Sequence, residues 1–149
     1  RTGDDVEALR TGIFDGTIDA VATDHAPHSP ASKDVGLLDA PPGMLGVETM
    51  ASVIWTDFVH TGLMSIERFI GLLSQIPAQI AGLGSQGREL RVGAPANIAV
   101  FDPNISWAAD HGSLQSKSTN NPWVGKNLTG RVRHTICRGT LVVADGVLT

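Results

Sequence analysis

The run Ile18-Asp19-Ala20-Val21-Ala22-Thr23 constrains this chain more than any other stretch. It is short, mostly small or β-branched, and apolar on both alternations apart from Asp19, as expected of a parallel strand buried on both faces. Parallel strands need crossover connections, usually helices, so the run predicts an α/β arrangement for residues 1–88. Asp24-His25-Ala26-Pro27-His28 follows directly. The C-terminal edge of a parallel strand is where α/β folds gather catalytic and ligand-holding side chains.

The pattern on either side supports a two-part organisation. Asp4 to Thr11 has helical spacing, and Gly16 breaks it. Residues 29–45 are rich in Ser, Pro, Gly and Asp and predict a long irregular segment, a feature usually functional or disordered in compact domains. Val47 to His60 carries a broad apolar stripe and ends at Thr61-Gly62. Ser65 is placed to cap a second helix, and Pro77 fits the first turn of a third that stops at Gly84. After about residue 88 the character changes. Leu90-Arg91-Val92 and Ala96 to Phe101 read as strands, and Trp107 and Trp123 are the apolar anchors of a polar, turn-rich stretch, 102–129. From Gly130 onward, alternation interrupted by Arg138-Gly139 and Asp145-Gly146 predicts a small antiparallel meander. Residues 1–88 and 89–149 are thus expected to be separate structural units.

Composition removes several function classes. The chain has 149 residues, a hydrophobic fraction of 42%, a charged fraction of 17% and a formal net charge of −4. It therefore reads as globular, and with no basic cluster it lacks the face that nucleic acid requires. No apolar run approaches the roughly 20 residues of a membrane helix, and Arg1 to Asp5 has no signal-peptide character. A cytoplasmic protein is the expectation. Cys137 is the sole cysteine, which excludes an internal disulfide. Three residues separate it from His134, so in a strand the two lie on opposite faces, and a buried structural thiol is expected.

Among the polar residues, Asp24 has two readings. A carboxylate there can ligate a hard or borderline metal and shuttle a proton from water, or it can cap the following turn. His28, beyond a proline that stiffens the loop, can bind metal, donate to an anionic substrate, or stand solvated. His25 reads as structural. Ala40-Pro41-Pro42-Gly43 is a rigid turn ending in a residue with free φ, which lets backbone approach a ligand closely or simply makes a turn.

The stretches Asp15 to His28, Ala40 to Thr49, Gly93 to Asp102 and Gly130-Arg131-Val132 together resemble the C-terminal part of a dihydroorotase of the amidohydrolase superfamily, long bacterial type. Thr-Asp-His-Ala-Pro-His is the most specific of these motifs. Hydantoinases and allantoinases are similar in outline. The resemblance implies the last strand and following helices of a (β/α)8 TIM-type barrel, joined to C-terminal strands of a β-sandwich. It implies interconversion of N-carbamoyl-L-aspartate and (S)-dihydroorotate in pyrimidine (UMP) synthesis, with one or two zinc ions per complete site. Asp24 is then the metal-site aspartate, working as general acid/base on the bridging hydroxide and on the leaving amide nitrogen. His28 holds the substrate carboxylate, and the Pro42-Gly43 backbone contacts the ring. The resemblance admits a homo-oligomer or an aspartate transcarbamoylase as partner, and a non-catalytic scaffold as the competing role.

The family's remaining metal ligands have no counterpart here, since no His-x-His occurs in the sequence. These 149 residues alone are therefore expected to be inactive and to bind zinc weakly or not at all.

Overall fold

A computed structural model describes residues 2–149 as helices followed by an antiparallel sheet. Helix α1 (Gly3–Asp15) begins in a capping box between Thr2 and Asp5 and ends at Gly16, whose φ of 87° is the left-handed geometry of a C-cap. The helix runs past Thr11 because nothing stops it before that glycine. One of its last carbonyls, Ile13 C=O, is met by the Arg68 guanidinium at 3.0 Å, which also donates to Ile18 C=O just beyond the helix at 2.8 Å. A cation at a helix C-terminus also opposes the negative end of the dipole.

The segment 18–23 forms no strand ladder. A parallel strand needs flanking strands, and the described residues supply only one isolated parallel bridge, His25 with Met44. The segment is held by other means. Ile18 N–H donates to Gly12 C=O at 2.8 Å, and Val21 N–H donates to Leu72 C=O at 3.2 Å.

That last bond follows from a proline. Helix α2 (Pro30–Lys33) is a single turn capped by Ser29. Helix α3 (Met50–Ile54) continues as a π turn, Trp55–Val59. Helix α4 (Ile66–Ile70), capped by Ser65, continues through a second π turn, Gly71–Gln75, into α5 (Ile76–Ile80). Pro77 therefore lies within one continuous rod and does not open a separate helix. Ile76 N–H closes the last π bond on Gly71 C=O. The next acceptor in that series is Leu72, and Pro77 has no N–H to give it. The freed carbonyl is the one that takes Val21.

Helix α3 starts three residues later than its apolar stripe suggests. The N–H groups of Gly46 and Val47 are turned toward His25 Nδ1, so this stretch is a turn and not a first helical turn.

Strands β1 (Ile98–Ala108), β2 (Asn127–Cys137), β3 (Thr140–Ala144) and β4 (Val147–Leu148) form a meander in the order β1-β2-β3-β4, of which β2 to β4 are the part expected from Gly130 onward. Leu90-Arg91-Val92 is not a strand: it has no strand partner among the described residues, and Leu90 and Val92 are exposed. Strand β1 instead continues beyond Phe101, through Asp102-Pro103, to Ala108. Its register against β2 jumps between Asp102 and Ser106, so Pro103 sits in a bulge where no ladder donor is required. Cys137 is exposed at the end of β2, which corrects the expectation of a buried thiol.

Helices and sheet share one core. Ile54, Trp55, Phe58, Met64, Phe69 and Leu72 are buried together, and Phe101 of β1 packs against them. Trp55 lies 5.3 Å from Phe69 and 5.1 Å from Phe101 between ring centroids, with Phe69 and Phe101 5.6 Å apart. Such tilted and edge-on contacts suit the aromatic quadrupole. Trp107 and Trp123 anchor a second cluster around Ala109 and Leu128, as their positions suggest.

Candidate active site

Asp24 adopts φ 44°, in the left-handed region. Backbone strain of this kind concentrates at functional sites. Its carboxylate is exposed and takes no hydrogen bond among the described residues. It is thus not capping the following turn, one of the two readings open from sequence.

The next four residues lie against the loop 41–47. His28 Nε2 and the Pro42 carbonyl are 3.0 Å apart, so Nε2 carries the proton and donates it. Ala26 N–H donates to Met44 C=O at 3.0 Å. His25 Nδ1 accepts from Gly46 and Val47, the structural part expected of it, played across to the second loop. Gly43 has φ 125°, and a Cβ there would lie 2.6 Å from the Ala26 Cβ and 3.1 Å from His28 Nε2. Only glycine allows His28 and Pro42-Gly43 to come this close. The structure therefore brings His28, Pro42 and Gly43 into one contact and leaves Asp24 beside it with a free carboxylate.

Three further residues, none of them a site candidate from the sequence, build this edge. Lys33, at the end of α2, donates from Nζ to Pro41 C=O at 2.7 Å and Gly43 C=O at 2.9 Å. Asn120, from the turn-rich stretch, accepts His28 N–H on Oδ1 at 3.2 Å and donates from Nδ2 to Ala26 C=O at 2.8 Å. Its own carbonyl takes Leu45 N–H at 3.1 Å. Because the amide must accept on one side and donate on the other, its orientation is fixed by these partners. Glu48 accepts Gln115 N–H at 2.8 Å and Ser116 N–H at 3.0 Å, tying the same stretch to the approach to α3.

As a metal centre this edge is incomplete. Among the described residues no three His, Cys, Asp or Glu side chains converge as a metal site. Asp24 offers oxygen of the right chemistry for zinc, yet zinc takes about four ligands. The described residues therefore fit one ligand of such a site and not the site.

The amidohydrolase family model matches residues 1–142. The chain belongs to the amidohydrolase family. This amidohydrolase is 43% identical over 146 residues to the dihydroorotase of Mycobacterium tuberculosis (strain ATCC 25618 / H37Rv), covering 98% of the chain and 34% of that relative. It is 44% identical over 146 residues to the dihydroorotase of Anaeromyxobacter dehalogenans (strain 2CP-C), covering 98% of the chain and 33% of that relative. The chain thus spans about a third of the length of the curated relatives it matches. Among solved structures, the L-hydantoinase (dihydropyrimidinase) from Arthrobacter aurescens aligns with a TM-score of 0.89 at 28% identity, covering 100% of this chain and 34% of that one. The D-hydantoinase (dihydropyrimidinase) from Thermus sp. aligns with a TM-score of 0.87 at 26% identity, covering 96% and 32%. The resemblance to dihydroorotases is borne out, and so is the TIM-barrel amidohydrolase fold class, even though segment 18–23 finds no strand partner among the described residues. No helix of the described residues is long and apolar enough to cross a membrane.

Proposed function

We propose that this chain supplies the Asp24 edge of a dihydroorotase active site, in a cytoplasmic enzyme that interconverts N-carbamoyl-L-aspartate and (S)-dihydroorotate for pyrimidine (UMP) synthesis. The observation that carries this reading is the 43% identity to a dihydroorotase over 98% of the chain. Residues 1–88 belong to the barrel and residues 89–149 to the β-sandwich. The other metal ligands come from outside these residues, so residues 1–149 alone are inactive. The complete enzyme works as a homo-oligomer or beside an aspartate transcarbamoylase.

In this reading Asp24 takes a proton from the attacking water and returns it to the departing amide nitrogen. The free, exposed carboxylate supports that role, because no hydrogen bond competes for its lone pairs. His28 holds the substrate carboxylate. Its Nε2 proton is already given to Pro42, so Nδ1 donates to an anion only when the ring is the imidazolium. The Pro42-Gly43 backbone meets the ring of the cyclic amide. Zinc, one or two ions in the complete site with Asp24 among the ligands, supplies Lewis acidity when bound.

Turnover of dihydroorotate against hydantoin by the full-length enzyme tests the reading. Dihydroorotate is expected to be preferred, and His28→Ala to raise its KM by about tenfold or more, the loss of a hydrogen bond to a charged group. Preference for hydantoin, which lacks the carboxylate, replaces the reading with that of another cyclic amidohydrolase. Absence of turnover of either assigns a scaffold role. Calorimetry on residues 1–149 alone is expected to show no tight zinc binding, and stoichiometric tight binding overturns the incomplete-site argument.

A further inference from the structure

The Pro41-Pro42-Gly43 turn has all three of its carbonyls occupied. Pro41 accepts from Lys33 Nζ at 2.7 Å, Pro42 from His28 Nε2 at 3.0 Å, and Gly43 from Lys33 Nζ at 2.9 Å and Asn120 Nδ2 at 3.3 Å. Pro41 and Pro42 have no N–H. The Gly43 N–H has no partner among the described residues. Of the three clamping side chains, Lys33 brings an ammonium. An ammonium hydrogen bond is roughly twice as strong as a neutral one, and this one bridges two carbonyls two residues apart. Its stem rises from a four-residue helix in the long segment between His28 and the Pro-Pro-Gly turn. Nothing in the proposed proton transfer uses this lysine.

We propose that Lys33 is a positioning residue for substrate recognition. It pins the Pro41 and Gly43 carbonyls onto the protein, with Asn120 as the second pin, so that the turn offers a ligand the Gly43 N–H. The inference rests on the proposed role of Pro42-Gly43 as the ring contact and adds a polarity to it. The ring edge that docks here carries a hydrogen-bond acceptor, a carbonyl oxygen of the cyclic amide and not its N–H. Lys33 thus acts through the turn on ground-state and transition-state binding alike and leaves the chemical step alone. That is the pattern of a residue whose loss raises KM with kcat unchanged.

The test uses Lys33→Met, which keeps the stem and removes the donors, and Lys33→Arg, which restores two donors, both in the full-length enzyme. With dihydroorotate, Lys33→Met is expected to raise KM by about tenfold with kcat within about twofold, and Lys33→Arg to recover most of the loss. Amide hydrogen exchange at Ala26 and Leu45, whose N–H groups tie the 41–47 loop to Ala26 and to Asn120, is expected to quicken in Lys33→Met and recover in Lys33→Arg. Unchanged KM, a fall in kcat at constant KM, or an arginine variant no better than methionine overturns the proposal. If Lys33→Met fails to fold, Asn120→Asp decides the matter. It keeps the acceptor for His28 N–H and loses the donor to the Ala26 and Gly43 carbonyls, and an unchanged KM there overturns the clamp. A wild-type enzyme silent on dihydroorotate sinks the functional reading but not the clamp, which then stands or falls on the exchange rates alone.

Discussion

The joint between helices and sheet and the edge around Asp24 are built in opposite ways. At the joint, Trp55 and Phe69 are 8% and 7% exposed and make tilted contacts with Phe101 of β1. The second region is mostly half-exposed loop, and its geometry comes from directional bonds made by Lys33, His25, His28 and Asn120. Apolar packing is non-directional and tolerates small shifts at a modest cost. A hydrogen-bonded clamp carries less of the folding energy but fixes where each atom lies. The contrast predicts that stability and activity respond to different substitutions: changes at the joint unfold the molecule, and changes at the edge leave it folded and impaired.

Asp24→Asn is the strongest way to break that contrast. It keeps the shape and removes the base, so kcat of the full-length enzyme is expected to fall by about 10²–10⁴-fold, the usual contribution of general acid–base catalysis. The melting temperature of the metal-free enzyme is expected to stay put, since the carboxylate takes no hydrogen bond among the described residues. A variant that melts several degrees lower would mean that Asp24 is structural and the comparison false.

Gly130→Ala probes the other region. Gly130 has φ 81°, and a Cβ there would collide with Phe101 Cζ and lie 2.9 Å from Trp55 Cδ1. Left-handed strain and overpacking together are expected to cost about 2–5 kcal/mol. Chemical denaturation measures this, and a loss below about 1 kcal/mol would show that the aromatic cluster repacks freely. Thr56→Val is the finer cut at the same joint. The Thr56 hydroxyl donates to Ser52 C=O at 2.7 Å and accepts Thr129 N–H at 2.8 Å, linking the π turn to β2. Valine leaves that β2 donor unpaired at a half-buried site, for an expected loss of about 1–3 kcal/mol.

Particular elements show how far sequence carries. The meander was readable because both its signals are local: alternation in the strands, and Arg138-Gly139 and Asp145-Gly146 at the turns, where Arg138 and Asp145 take φ of 50° and 51°. Ser65 was readable as a cap for the same reason. The passage of β1 through Pro103 was not, because the bulge that excuses the proline exists only once β2 is alongside. Likewise Pro77 looks like a helix start until the π turn before it and the Val21 donor beside it are known. At the site, Asp24, His28, Pro42 and Gly43 stand out in short motifs. Lys33 is only a lysine in a Ser-rich loop, and Asn120 only one of two asparagines before a proline. The Asn120 bond to Ala26 spans 94 residues, and no periodicity or turn rule reaches that far.

The smallest expected effect lies on the surface of the meander, remote from both regions in kind. Arg133 pairs with Asp145, and Asp102 lies 3.9 Å from the same guanidinium. The hydrogen bond and charge of Arg133 hold the Asp145 carboxyl below its ordinary value of 3.8, and Asp145 in turn raises the arginine. A carboxyl whose value is depressed in the folded state contributes stability that is fully present above its unfolded value. That contribution is lost as pH falls through the lower folded value, so the window lies below 3.8. Exposed pairs of this kind contribute little, and salt screens them. Asp145→Asn is therefore expected to leave the melting temperature at neutral pH nearly unchanged and to flatten its slope slightly in acid, at low salt only. A large acid effect that survives high salt would mean that this turn is coupled to the joint, and the division between packed and hydrogen-bonded regions would then have to extend to the β3–β4 turn.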